Sequence, residues 1–174
     1  MSKIGKTTIK VEDRLREIFA YLPEIAGPNN LFQPIFKAGD QKELIAFFEE
    51  SQGNSNYPLI WLDMPYDEEH FNRKRTKING LSLILAVETN SEMLYDERLK
   101  TTFANVLYPL LDSILDAFTV SNTLSYDSNF SIMKYGNYSE QAEGTEGEFV
   151  DIWDAIKLTL DVEINDTCLR EIKI

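Results

Sequence analysis

The chain has 174 residues and a mass of 20.0 kDa, with 43% apolar and 26% charged residues, enough for one domain with its own core. A net charge of −12 argues against a free-standing nucleic-acid binder, because phosphate binding is driven largely by basic side chains. The single cysteine, Cys168, excludes an internal disulfide and a multi-thiolate metal site, and it fits a reducing compartment.

The basic start Met1 to Thr8 has no apolar stretch behind it, and no window reads as a membrane span, so a soluble, unexported protein is expected. From Thr8, the spacing of Val11, Leu15, Ile18, Phe19 and Leu22 predicts a helix burying one face, stopped by Pro23. Residues 29–39 read as turn-rich around the short apolar piece Pro34-Ile35-Phe36. Asp40 followed by Glu43 then matches a capping box, opening a helix that buries Leu44, Ile45, Phe47 and Phe48.

Tyr57-Pro58-Leu59-Ile60-Trp61-Leu62 reads as a strand, with Pro58 at its beginning or on a free edge. A polar loop through Asp67, His70 and Arg75 leads to a second strand over 77–88. There Leu81, Leu83, Leu85 and Val87 share one face, and Ser82, Ile84, Ala86 and Glu88 the other. The stripe Leu99, Phe103, Val106, Leu107, Leu110, Ile114 and Phe118 predicts the longest helix, kinked or restarted at Pro109. Residues 130–135 read as a third strand. Alternation from Ala155 to Ile164, with Ile156, Leu158, Leu160, Val162 and Ile164 on one side, gives a fourth. The expected fold is a single α+β domain over 1–174. It has an antiparallel four-stranded sheet packed by one long helix and two N-terminal helices, with 1–7 flexible and 136–150 a mobile acidic loop.

Chemical signatures are sparse. Gly5-Lys6-Thr7 resembles the end of a phosphate loop, yet the earlier glycine of that pattern is missing and no strand precedes it. Neither Ser55 nor Ser82 has the second glycine of a nucleophile elbow. His70 is the only histidine, and its neighbours Asp67, Glu68 and Glu69 read as solvated loop carboxylates rather than partners in a triad or zinc site. Asp151 and Asp154 flank Trp153, but a spacing of three places them on opposite faces of a strand. Cys168, with Arg170 near it, reads as a small buried apolar group. No catalytic residue, cofactor or metal site is therefore expected. The basic run Arg73, Lys74, Arg75 and Lys77 and the acidic Glu143, Glu146 and Glu148 form a candidate pair of complementary surfaces between copies of the chain.

In its order of elements the chain resembles the tail-terminator or tail-completion proteins of tailed bacteriophages and prophages. The resemblance is carried by the N-terminal helix, the Tyr57 to Leu62 strand, the Leu81 to Val87 strand, the single long helix and the closing Asp151 to Leu160 strand, over roughly residues 10 to 168. It departs from them by the helical lead-in from Asp40 to Ser51 and the acidic excursion near Glu146. The resemblance implies a non-enzymatic structural protein that forms a ring, commonly a hexamer, on the finished tail tube. Its implied partners are further copies, the tail-tube protein and the head-completion or connector protein, with DNA passing through unbound and no membrane involved. It also implies a place in the virion tail or neck, after assembly in the bacterial cytoplasm. The acidic balance agrees with a channel that repels phosphate. Two rival expectations are a small-molecule-binding or enzymatic domain using a sheet–helix pocket with His70, Asp151 and Asp154, and an adaptor that grips a charged partner through Arg73 to Lys77.

Overall fold

The computed structural model describes residues 10–26, 31–50, 58–72, 75–90, 92–138 and 152–165. Among the described residues three helices accompany eight strands: α1 (Val11–Phe19), β1 (Ile25–Ala26), β2 (Leu31–Phe32), β3 (Ile35–Gly39), α2 (Gln41–Glu50), β4 (Leu59–Asp63), β5 (Asp67–Asn72), β6 (Arg75–Thr89), α3 (Tyr95–Val120), β7 (Leu124–Tyr135) and β8 (Ile152–Asn165). β1 and β2 form a small antiparallel sheet of their own, and the other six strands form one sheet in the order β3-β4-β6-β8-β7, with β5 also on β6. The four-stranded antiparallel expectation is thus corrected: the sheet has six strands, and β3 lies parallel to β4.

Four of the described strands escape the alternation rule, and two of them, β1 and β2, are only two residues long. β3 falls in the stretch that reads as turns, since its apolar run is only Ile35 and Phe36 before Lys37, and a short strand leaves too few residues to show a period. β5 is acidic and exposed on both faces, so it is held to β6 by backbone pairing and carries no apolar signal.

β6 and β8 pair from Arg75↔Asn165 to Thr89↔Ile152 and form the spine of the sheet. The register shifts once, between Ile78 and Leu81, where Gly80 takes φ +67° and its N–H donates to Asp161 Oδ1 at 2.7 Å. Above this bulge β6 also pairs with β4, below it with β5. Leu81, Leu83 and Leu85 oppose Leu160, Leu158 and Ile156, so the predicted apolar faces of both strands coincide on one side of the sheet. α1 and α3 cover that side: Phe19 meets Phe36 edge-on at 5.1 Å and Phe118 at 5.8 Å. On the opposite face α2 stacks Phe48 on Trp153 at 4.0 Å and sets Phe47 beside Trp61.

The capping box forms as predicted. Asp40 Oδ1 accepts from the Glu43 N–H and Glu43 Oε2 from the Asp40 N–H, both at 2.9 Å, so α2 starts where the sequence places it. The long helix changes winding. It opens with the α-turn Tyr95–Arg98, continues as the wider π-helix Leu99–Leu107 and resumes as α over Tyr108–Val120, with Pro109 in the first turn of that segment. Because the helix runs on through it, this proline removes one backbone donor, and the wider winding stands in the turns just before it. Contrary to the sequence expectation, this helix is by length and composition apolar enough to cross a membrane. Its apolar stripe of Phe103, Leu107, Leu110, Ile114 and Phe118 is buried in the core.

Gly39 and Gly80 resist substitution for different reasons. A Cβ on Gly39 would stand 2.5 Å from Glu43 Oε2 and 2.7 Å from Trp61 Cζ2, while one on Gly80 meets nothing within 4 Å and is opposed only by its positive φ. Gly39→Ala should cost about 1–3 kcal/mol through overpacking, and Gly80→Ala about 1–2 kcal/mol through backbone strain. Urea unfolding of each variant checks both figures.

Candidate interaction surface

β7 is an edge strand. It pairs with β8 on one side, and no strand lies on the other among the described residues. Its upper half is exposed on both faces: Phe130 (43%) and Ile132 (40%) on the helix side, Met133 (58%) on the other. Edges are normally blunted by charge, proline or a covering element. Here only Lys134 does so within the exposed run. The backbone alternates as well. Asn165 N–H donates to the Thr123 carbonyl directly opposite it, so the odd-numbered residues of β8 bond to β7. Ser131, Met133 and Tyr135 face these residues, and Phe130, Ile132 and Lys134 therefore turn their N–H and C=O groups outward.

The other edge is β3. Ile35 N–H donates to the Pro58 carbonyl and Met64 N–H to the Gly39 carbonyl, so Ile35, Lys37 and Gly39 bond inward to β4 and Phe36 and Ala38 point outward.

Each sequence-predicted site residue can now be placed. Arg73 and Lys74 lie outside the described residues, as do Glu143, Glu146 and Glu148, Asp151 and Cys168, most of the predicted acidic loop, and the 1–7 leader. Arg75 is engaged within the chain: its Nε and Nη2 donate to both carboxylate oxygens of Glu163 at 2.7 Å, and its guanidinium lies 4.9 Å from the Phe71 ring centroid. Lys77 is half-buried and stands opposite Glu69 on β5 and Glu163 on β8. Of the described part of the basic run, Arg75 thus joins β6 to β8. The fork from Arg75 holds the Glu163 carboxyl below its ordinary value of 4.5 and raises Arg75.

His70, exposed on β5, has Nε2 2.9 Å from Glu68 Oε2 and Nδ1 2.9 Å from Thr76 Oγ1. Asp154 sits near the far end of the spine opposite Val87, about 30 Å along β8 from the row that holds His70 and Thr76. The two groups of the rival polar site are therefore not brought together. Among the described residues no group of three His, Cys, Asp or Glu is placed to hold a metal ion.

Asp154 has a different surrounding from the one its sequence suggests. It is fully buried, with Oδ1 accepting from Arg98 Nη1 at 2.6 Å and from the Asn137 N–H at 3.3 Å, and Oδ2 from Thr102 Oγ1 at 2.5 Å. Arg98 completes its fork on the carbonyls of Met93 and Asn90. Sequence reasoning missed Arg98 and Thr102. The signal was present, because the two stand one helical turn apart within an otherwise apolar stripe and so share the face that meets the sheet. It also read 130–135 as a strand without seeing an edge, although apolar residues on both faces of a strand beside polar turns carry that information.

Asp154→Ala should cost about 3–5 kcal/mol by leaving a buried guanidinium unpaired. The paired replacement Arg98→Met with Asp154→Leu should cost less than either single change. Equilibrium unfolding of the three variants tests this. For Glu163 the sign runs with a depressed carboxyl. Its contribution is present above pH 4.5 and disappears as pH falls through the lower folded value. The stability gap between the parent and Glu163→Gln should accordingly be small and constant near neutrality and close on acidification, as thermal unfolding at a series of pH values will show.

Comparison with protein-family models, with curated proteins and with solved structures gave no match.

Proposed function

We propose that the chain is a structural subunit that assembles with copies of itself, as the ring that completes the tail of a phage or prophage and joins its tube to the head. The observation that carries the reading is the upper half of β7, which among the described residues has no strand on its outer side and exposes Phe130, Ile132 and Met133. Sheet edges of this kind bind by adding a strand: backbone bonds supply affinity, and alternate side chains supply specificity. Large apolar side chains at the centre of a contact and polar ones around it fit an assembly surface, and the neighbouring Ser131 and Lys134 provide the polar part. The tail-terminator resemblance adds the setting: a ring in the tail or neck of the virion, assembled in the bacterial cytoplasm, contacting tail-tube and head-connector proteins while DNA passes through without specific binding. The reading assigns no catalytic step to the chain.

Mass photometry and sedimentation velocity at high micromolar concentration test the reading, with multi-copy particles as the expected result. Ile132→Pro removes an outward N–H while leaving the inward ladder to β8 in place, and should weaken association by about tenfold or more. Ile132→Lys should do the same by placing charge on the edge. Both should keep the parent's circular dichroism. A chain that stays monomeric throughout that range overturns the reading.

A further inference from the structure

The two outer edges of the sheet, each without a further strand among the described residues, match each other. Following the pairing across the strands, Ala38 aligns with Leu62, Leu83, Leu158 and Ile132, and Phe36 aligns with Ile60, Leu85, Ile156 and Lys134. β3 and the exposed half of β7 thus stand at the same height on opposite sides of one sheet. Their directions also agree with continuation. β3 runs with β4 and β8, and β7 runs against them, so β7 placed beside the β3 of another copy in the same orientation is antiparallel to it.

The backbone supplies a third, independent match. Phe36 and Ala38 turn outward on β3, and Lys134 and Ile132 turn outward on β7 in those same two rows. All four side chains stand on the helix face, so an unstaggered junction satisfies both the hydrogen-bond alternation and the side-chain alternation. A slip of one residue would break both.

We infer that copies join edge to edge, with β7 of one copy adding antiparallel and without stagger to β3 of the next, so that Ile132 faces Ala38 and Lys134 faces Phe36 across the junction. This rests on the assembly reading above and names the surface it uses. The contact is head-to-tail, which leaves one edge free at each end of a row of copies until the row closes. Such a contact makes a ring where the rotation between successive copies closes and an open filament where it does not.

The junction predicts one disulfide. Lys37 and Met133 share a row on the α2 face and both bond inward, so they form a non-hydrogen-bonded pair across the junction, with Cα atoms about 4.5 Å apart. That separation suits a disulfide, and both side chains are exposed, so substitution spares the core. In a Cys168→Ser background, Lys37→Cys with Met133→Cys should give, on mild oxidation, a non-reducing gel ladder that ends at a fixed copy number. Each single variant should give none. Met133→Cys alone forming dimers would mean β7 pairs with β7 and overturns the inference. A ladder from Lys37→Cys with Ser131→Cys in place of the Met133 pair overturns the unstaggered register. Multi-copy particles without any ladder overturn the junction while leaving assembly standing. A chain that is monomeric by mass photometry under the same conditions removes the assembly reading as well. Unchanged circular dichroism of each variant confirms that the fold is being compared like with like.

Discussion

The antiparallel ladder between β6 and β8 is the constraint on which the rest of this structure depends. β8 alternates apolar and polar residues from Ile156 to Ile164 while β6 is buried on both faces from Leu83 to Val87, and their register sets Leu81, Leu83 and Leu85 on the same side as Leu160, Leu158 and Ile156. A slip of one residue would turn Leu81, Leu83 and Leu85 toward the opposite face, so the core specifies the pairing as much as the pairing builds the core. Every other strand of the large sheet is attached to one of these two or to a strand that is, and α3 lies against the face they share, with α1 packed on α3 and β3.

The buried Asp154 carboxylate closes the same layer at its upper end. It draws together the turn before α3 through Arg98, the π-wound start of that helix through Thr102, and the exit of β7 through Asn137. A charge in this position stabilises the native state only because each of its oxygens and the facing guanidinium are satisfied together. The cluster thus ties the placement of the helix to the placement of the edge strand. Tyr138, packed edge-on against Tyr135 at 5.1 Å, continues that tie, and burial pushes its phenol up to about 12.

Much of this was legible in the residues. The period of two in β6 and β8, the helical stripe from Leu99 to Phe118 and the Asp40–Glu43 capping box each express a local rule that the tertiary structure keeps. What escaped was set by neighbours and not by local pattern. β3 takes its parallel place beside β4 through backbone bonds to Pro58 and Met64 at the two ends of that strand, and β5 exists because β6 extends below its bulge to receive it. The basic run illustrates the same point in charge. As a sequence it reads as a free surface, yet Arg75 is forked onto Glu163, a residue 88 positions away whose proximity only the β6–β8 register creates. Asp154 drew notice in sequence as one of two acids beside a tryptophan, and only the fold supplies the arginine that makes sense of its burial.

The irregularity in β7 sets a length. Between Tyr126 and Phe130 its register against β8 shifts, because Asp127, Ser128 and Asn129 hold more chain than the partner strand matches there. A visiting strand can therefore follow the edge from Tyr135 down to Phe130 and no further without a compensating kink of its own. The molecule offers a short, bounded seam in place of an open-ended one, which permits sociability between subunits while denying the continuous template from which amyloid grows.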